Sequence, residues 1–293
     1  MINTKKHLEY VLKCKYSELE KICSEIDLYY YEKKKLKGYK NGIPQYRVLY
    51  PSKGRLKFIQ SQIKNNILSN INFPWYVQGG VKKRDNITNA SLHLGKKYKF
   101  MTDIKKFFPS VTNKMVYNTL IQNGFSPDIS HILTKLTTYK GELPQGTPTS
   151  SYLANLVFIK IDKKIIELCE VLKITYSRFI DDLSFSSPLD FKPETLQLLD
   201  IIKNEGFQIS HKKTFYKTKN AVMTGVQVGQ NRLDATQEYK TKMNSIPDEQ
   251  FKSKIGHLNY YKRIRSIKKS QKKEFIRPSR RCQAHLQLTH CQC

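Results

Sequence analysis

No run of about 18 consecutive apolar residues occurs in this chain, so no membrane span is expected. The opening stretch MINTKKHLEYVLKCKYSELEK is charged throughout and lacks the apolar core of a secretory signal, so a cytoplasmic protein is expected. Cysteine is sparse, with 6 in 293 residues. Cys14, Cys23 and Cys169 lie in apolar-periodic segments and read as reduced core thiols. Acid is scarce: 24 Asp+Glu stand against 52 Lys+Arg, a formal charge of +28. A small excess of lysine is a solvated surface. At this size the field attracts polyanions, nucleic acid ahead of an anionic membrane. No internal repeat is present. The 39% hydrophobic content suffices for one large core, or for two or three subdomains sharing one.

Apolar spacing organises what is there. Leu8, Val11, Leu12, Leu19, Ile22 and Ile26 recur at helical spacing and predict an opening helix or helix pair. The stretch YYYEKKKLKGYKNGIPQYRVLYPSKGR mixes Tyr, Lys, Gly and Pro and predicts short strands joined by turns. Ile59, Ile63, Ile67 and Ile71 stand four apart and predict a second helix, with Pro74 beyond its end. KYKFMTDIKKFF reads as a buried strand ending in a sharp turn at Pro109. Thr112 is placed to cap the next helix and Ser126-Pro127 to start another. The loop GELPQGTPTSS feeds a long helix with Leu153, Leu156, Val157, Ile161 and Ile165 on its apolar face. A further helix is expected over 193–205, strands around 207–209 and 221–228, and a basic helical region from about Tyr239. Residues 252–281 hold twelve Lys/Arg and one acid, Glu274, with Tyr260 and Tyr261 interleaved.

The stretch ITYSRFIDDLSFSS predicts two short strands, 174–179 and 183–186, with Asp181 and Asp182 at the bend. Asp is common in turns. Adjacent carboxylates at the edge of buried structure repel, however, and need compensation. A divalent cation supplies it, because hard cations prefer carboxylate oxygen. Asp103, ending the apolar strand KFMTD, is the candidate third carboxylate. Three carboxylates make a two-metal site plausible, with ions about 3.5–4 Å apart clamping the attacking and leaving oxygens of an in-line phosphoryl displacement.

Four blocks occur in the order found in reverse transcriptases, and the chain resembles that family over roughly residues 28–265. They are DIKKFFPSV (103–111), LPQGTPTSSYLAN (143–155), FIDD (179–182) and GFQISHKKT (206–214). FIDD stands where the family has Tyr-x-Asp-Asp; Phe179 keeps the ring and loses a hydroxyl. The resemblance implies an α+β right-hand polymerase: fingers, a palm whose antiparallel sheet carries the catalytic aspartates, and a helical thumb. It implies RNA-directed DNA polymerase activity, with Asp103, Ile104, Asp181 and Asp182 at two Mg²⁺ ions (Mn²⁺ a possible substitute), Asp182 being the least direct ligand. The backbone over 104–107 would cradle the triphosphate of an incoming dNTP. Phe108 falls at the position of the ring that excludes a 2′-hydroxyl; Phe107 is its rival, and plain core packing the other reading. Gln145 matches the glutamine lying along the nucleotide, and Gly146 lets the backbone approach closely. Lys213 matches the lysine near the leaving pyrophosphate, a candidate proton donor, with Lys212 a neighbouring alternative. Arg47 matches the fingers arginine that grips phosphates, with Lys53, Arg55 and Lys57 as alternatives.

Two further stretches resemble retron reverse transcriptases. Asn89-Ala90-Ser91-Leu92-His93 fits an Asn-Ala-x-x-His motif, and Thr224-Gly225 falls where that subgroup has Val-Thr-Gly, with Met223 replacing Val. This resemblance implies a cognate structured noncoding RNA as template and primer, priming from the 2′-hydroxyl of a guanosine, an msDNA product, and an effector protein in antiphage defence. Expected RNA contacts are Asn89, His93, Tyr260, Tyr261, Lys262, Arg263, Arg265, Lys268, Lys269, Lys272 and Lys273. The cations would meet phosphates and the rings could stack on exposed bases.

Fingers and palm are expected over 1–236, a basic helical thumb over 237–276, and a disordered basic tail over 277–293. Cys282, His285, His290, Cys291 and Cys293 in that tail are metal-ligating types, but their spacing makes no standard zinc finger. Two other readings compete. One is another bacterial reverse transcriptase, of diversity-generating or abortive-infection type; His93 and Thr224-Gly225 argue against it. The other is a catalytically idle RNA-binding protein on the same fold. The presence of all three aspartates, Gln145 and Lys213 argues against that.

Overall fold

The computed structural model describes residues 2–268. Lys269, Lys272, Lys273 and the tail over 277–293, with its cysteines and histidines, lie outside the described residues. Two helices open the chain, α1 (Lys5–Leu12) and α2 (Tyr16–Ser24). Leu8, Leu12, Leu19 and Ile22 are buried, as their spacing predicts. A hairpin of β1 (Lys33–Lys40) and β2 (Ile43–Leu49) follows, then α3 (Gly54–Gln62). α3 continues as a π turn over Ile63–Ile67. This explains how isoleucines four apart stay on one side. On a regular helix each such step drifts about 40° around the axis, and a wider turn takes up the drift. Ile59, Ile63, Ile67 and Ile71 are all buried.

Next come α4 (Asn86–Ser91), β3 (Tyr98–Asp103), the short α5 (Phe107–Ser110), α6 (Asn113–Gln122), α7 (Pro127–Thr137) and the long α8 (Ser150–Val171). Thr112 caps α6, its side chain accepting from Met115 N, and Pro127 opens α7, both as expected. The chain then forms β4 (Thr175–Phe179), β5 (Asp182–Ser187), α9 (Thr195–Asn204), β6 (Phe215–Lys217), β7 (Ala221–Met223), β8 (Val226–Val228), β9 (Leu233–Ala235), α10 (Gln237–Asn244) and α11 (Phe251–Ser266). Helices with separate antiparallel sheets make the α+β class expected from the sequence. No helix among the described residues is long and apolar enough to cross a membrane.

The chain divides into two compact units. The first takes Met1–Phe73 and Lys106–Ile159. Its helices pack on buried leucines and isoleucines, and its β1–β2 hairpin is exposed along most of its length. The second takes Pro74–Lys105 and residues 160–268. It holds a four-stranded sheet in the order β4-β5-β3-β6 and a three-stranded sheet in the order β7-β8-β9. Across the larger sheet Tyr176 stacks on Phe185 and Phe100 packs tilted against the same ring, with ring centroids 5.0 and 5.6 Å apart. Ile87, Ala90 and Leu94 pack with Met223, Val226, Leu233 and Ile264 into a cluster joining α4, the smaller sheet and α11.

Two strand expectations need correction. The segment 207–209 contributes only the bridge of Ile209 to Ile104; the fourth strand is β6, pairing with β3 at Lys99–Met101. The segment 221–228 is not one strand but a hairpin. Thr224 and Gly225 turn it with φ of +48° and +81°. Glycine accepts that region freely, whereas a β-branched threonine there needs holding.

Candidate active site

Sheet register brings the acids together. β3 ends at Asp103, which pairs opposite Asp182 at the start of β5. Ile104 N donates to Asp181 O at 3.0 Å, tying the chain beyond β3 to the β4–β5 turn. Carboxylate oxygens of Asp103, Asp181 and Asp182 lie within 4.8 Å of one another. Burial, then the charges of Asp181 and Asp103, push the Asp182 carboxyl up to about 7. Lys213 Nζ lies 2.5 Å from Asp103 Oδ1. Burial opposes the lysine's charge, but the Asp103 hydrogen bond and the three carboxylates outweigh it and raise its pKa. Asp182 stays raised despite Lys213, so negative charge remains in excess. A hard divalent cation fits such a donor set.

The turn carrying these acids is strained. Ile180 has φ of +59°, a left-handed conformation. This costs an L-residue about 1–2 kcal/mol, and a β-branched residue adopts it rarely. Beside it lies an ion pair for which the sequence reading assigned no role. Arg178 is fully buried, as is Asp162 on α8. Its Nε and Nη2 donate to the Asp162 carboxylate at 2.9 and 2.6 Å, and its Nη1 donates to Ile180 O at 3.0 Å. Tyr176 Oη also donates to Asp162, at 2.6 Å. A charged residue inside a strand that is otherwise buried was the available signal; its partner, 16 positions away on a helix, was not visible.

The first unit holds the residues expected at the nucleotide. Phe107 is buried, its ring edge-on to Phe158 at 5.6 Å, which makes it core and removes it as rival to Phe108. Phe108 is half-buried. Gln145 is half-buried, and its carbonyl accepts from Tyr50 N at 3.0 Å. Gly146 is exposed with φ of +102°, and a Cβ there would lie 3.3 Å from Pro51 Cγ. Arg47 is exposed on β2, opposite Lys35. In the second unit, Ile104 is buried, so only its backbone could serve a ligand.

Asn89 and His93 are corrected as direct RNA contacts, because both are fully buried. Ser177 Oγ donates to Asn89 Oδ1 at 2.7 Å. The His93 ring nitrogens bond Ser177 and Ser186 hydroxyls, each at 2.7 Å. Asn89 Nδ2 donates to Thr224 Oγ1 at 3.3 Å, and Asn86 Nδ2 donates to Thr224 O at 3.1 Å. The two stretches that pointed to the retron subgroup therefore touch, and together they reach the two strands that flank the turn at Asp181. Serines alternating along SRFIDDLSFSS were the sequence signal for a polar face meeting Asn89 and His93.

The tyrosines change role in part. Tyr260 is half-buried; its hydroxyl accepts from Asn86 Nδ2 at 2.6 Å, and its ring sits 5.1 Å from that of Tyr239. Tyr261 packs on the same apolar cluster. Arg263 pairs with Asp85 at 2.5 Å and Arg265 with Asp234 at 3.0 Å, whereas Lys262 and Lys268 are exposed.

Residues 32–243 match the family model described as Reverse transcriptase (RNA-dependent DNA polymerase), and the chain belongs to that family. Within it, the chain is similar to retron reverse transcriptases. It is 36% identical over 151 residues to the Retron Se72 reverse transcriptase of Salmonella heidelberg (strain 579083-10), covering 50% of this chain and 39% of that one. It is 31% identical over 217 residues to the Retron Ec86 reverse transcriptase of Escherichia coli, covering 72% and 65%. The matched part spans less than two thirds of either relative. Among solved structures, a foamy viral protease-reverse transcriptase dRH in complex with ds DNA aligns at a TM-score of 0.47 and 17% identity, over 80% of this chain and 38% of that chain.

Proposed function

We propose that this chain is a retron reverse transcriptase. It copies part of a cognate structured noncoding RNA into DNA, priming from a guanosine 2′-hydroxyl of that RNA, and yields msDNA. The observation that carries the polymerase reading is the clustering of Asp103, Asp181 and Asp182, with carboxylate oxygens within 4.8 Å of one another. These three, with the Ile104 backbone, would hold two Mg²⁺ ions, Mn²⁺ being able to substitute. Bound metal would stabilise charge on the attacking and leaving oxygens of nucleotidyl transfer. Lys213, kept protonated by its carboxylate neighbours, carries a proton suited to the departing pyrophosphate. Phe108 would exclude a 2′-hydroxyl, Gln145 and Gly146 would line the nucleotide, and Arg47 would hold its phosphates. Lys262 and Lys268 would meet RNA phosphates. The protein works in the cytoplasm, with an effector protein in antiphage defence.

Primer extension on an RNA template with dNTPs and Mg²⁺ tests the polymerase. Extension by the wild type and none by Asp181→Asn is expected; equal extension by both overturns the site. Sequencing nucleic acid that co-purifies with the chain tests the subtype. A branched RNA–DNA species supports the retron reading, and linear DNA alone overturns it.

A further inference from the structure

The catalytic-turn residue Ile180 sits in a conformation that its β-branched side chain disfavours, immediately before Asp181 and Asp182. Something must hold it. One holder is Arg178, whose Nη1 donates to Ile180 O at 3.0 Å. The guanidinium cannot swing away, because Nε and Nη2 are fixed on Asp162, which in turn accepts from Tyr176 Oη. All three residues are fully buried. A second holder is the segment before α4. Gln78 N and Gly79 N donate to Arg178 O at 2.7 and 3.3 Å, and Arg178 N donates to Tyr76 O at 2.8 Å. The segment therefore lies flat on the turn. A Cβ on Gly79 would come within 2.5 Å of Ile180 N and 2.7 Å of Phe179 C. Backbone cannot yield as a flexible side chain does, so any residue larger than glycine must push the turn away.

We infer that Gly79, Arg178 and Asp162 form a positioning clamp, which locks Ile180 in the left-handed region and thereby sets where Asp181 and Asp182 stand relative to Asp103. None of the three touches substrate. They act through the turn, and the inference rests on the reading that the aspartates hold divalent metal. Two things follow from the geometry. Removing the clamp should loosen metal binding even when the fold survives. Placing at position 180 a residue at ease in the left-handed region should make the clamp less necessary, since glycine populates that region without strain.

The test uses the full chain and Mn²⁺ alone as probe, with free Mn²⁺ read by electron paramagnetic resonance, alongside primer extension. Removing Arg178 alone would strand a buried carboxylate, so the pair is replaced together as Arg178→Met with Asp162→Leu, a swap that buried ion pairs often tolerate. The double variant should bind Mn²⁺ at least tenfold more weakly than wild type and extend primers at least 100-fold more slowly. Adding Ile180→Gly should recover a substantial part of both. A merely structural pair would show no such rescue. Gly79→Ala presses on the same turn without touching the ion pair, and should weaken Mn²⁺ binding likewise. Wild-type binding by a folded double variant overturns the clamp, as does absence of rescue. If the double variant does not fold, Gly79→Ala decides alone, and wild-type binding by it overturns the clamp. Asp103→Asn separates the two readings. If it binds Mn²⁺ as wild type does, the metal site itself is refuted and the clamp with it. If it loses Mn²⁺ while the clamp variants keep it, the clamp alone is refuted.

Discussion

Asp162 and Asp103 are both buried acids of the second unit, 0% and 5% exposed, yet their surroundings differ in sign. Asp162 has its charge met within the fold. Arg178 grips it with two nitrogens and Tyr176 adds a third donor. Burial opposes the charge on Arg178, but Asp162 more than restores it and raises the guanidinium pKa. Asp103 has Lys213 on one side and two more carboxylates within reach. The result is a proton held on Asp182 up to about pH 7. A buried charge that the fold itself balances shapes the chain. A charge left in excess awaits a partner from outside, and such imbalance marks functional sites. The two groups of acids meet at Ile180, where Arg178 reaches from one to the turn that carries the other.

The comparison breaks most sharply under amide substitution. Asp103→Asn or Asp181→Asn should cut primer extension by about 1,000-fold or more, about 4 kcal/mol in the barrier. Thermal stability without metal should hold or rise, because repulsion is relieved. RNA binding, measured by filter retention, should survive. Near-normal synthesis by either variant would refute the site. Asp162→Ala should do the reverse. It strands a buried guanidinium, so unfolding in urea should show a loss of about 3–5 kcal/mol. A loss under about 1 kcal/mol would mean that Arg178 finds another partner, and that Asp162 is not what balances its charge.

Acidity sharpens the same contrast. Asp182 is raised from an ordinary 3.8 to about 7, first by burial and then by Asp181 and Asp103. Between those values the folded, metal-free chain keeps a proton that the unfolded chain has released. The contribution to stability is therefore fully present below about pH 4 and lost as pH rises to 7. Unfolding midpoints of wild type and Asp182→Asn, followed over that range, should diverge, with the variant lacking this fall. A divalent cation held by these carboxylates would compete with the proton, so Mg²⁺ binding should tighten as pH rises through 7. Parallel curves for the two proteins would remove Asp182 from the account.

What was legible in the sequence follows from range. The cap at Thr112, the start of α7 at Pro127, the long α8 and the opening helices rest on near neighbours in the chain, which local sequence reports directly. The aspartates were legible because like charges at the edge of apolar strands are costly and so conspicuous. The Arg178–Asp162 pair, the burial of Asn89 and His93, and the turn at Thr224 depend on partners far along the chain. A histidine between two strand serines looks, in sequence, like any histidine. The segment 221–228 misled because alternating apolar residues mark a strand, while of the two residues that reverse it, Thr224 and Gly225, only the glycine is one that turn statistics favour.

The smallest expected effects lie on α11 and the two residues beyond it, where balanced and unbalanced charge stand close together. Tyr260 and Arg263 are engaged by Asn86 and Asp85, the first residue of α4 and the one that caps it. Lys262 and Lys268 point into solvent. Tyr260→Phe removes a hydroxyl that accepts the Asn86 amide, and should cost about 0.5–1.5 kcal/mol of stability, with RNA affinity unchanged once the protein is folded. Lys262→Glu with Lys268→Glu should leave the unfolding midpoint within a few tenths of a kcal/mol. It should weaken RNA binding at low salt and make log K against log salt shallower by about 2 if each lysine meets one phosphate. The loss should be equal on cognate and unrelated RNA, because phosphate contacts carry no sequence. If Tyr260→Phe instead lowers cognate RNA affinity at unchanged stability, the hydroxyl meets RNA after all and its bond to Asn86 is incidental. If the lysine pair alters stability but not the salt slope, the stretch from α11 to Lys268 is a packing element rather than a phosphate-binding one, and the excess positive charge acts elsewhere.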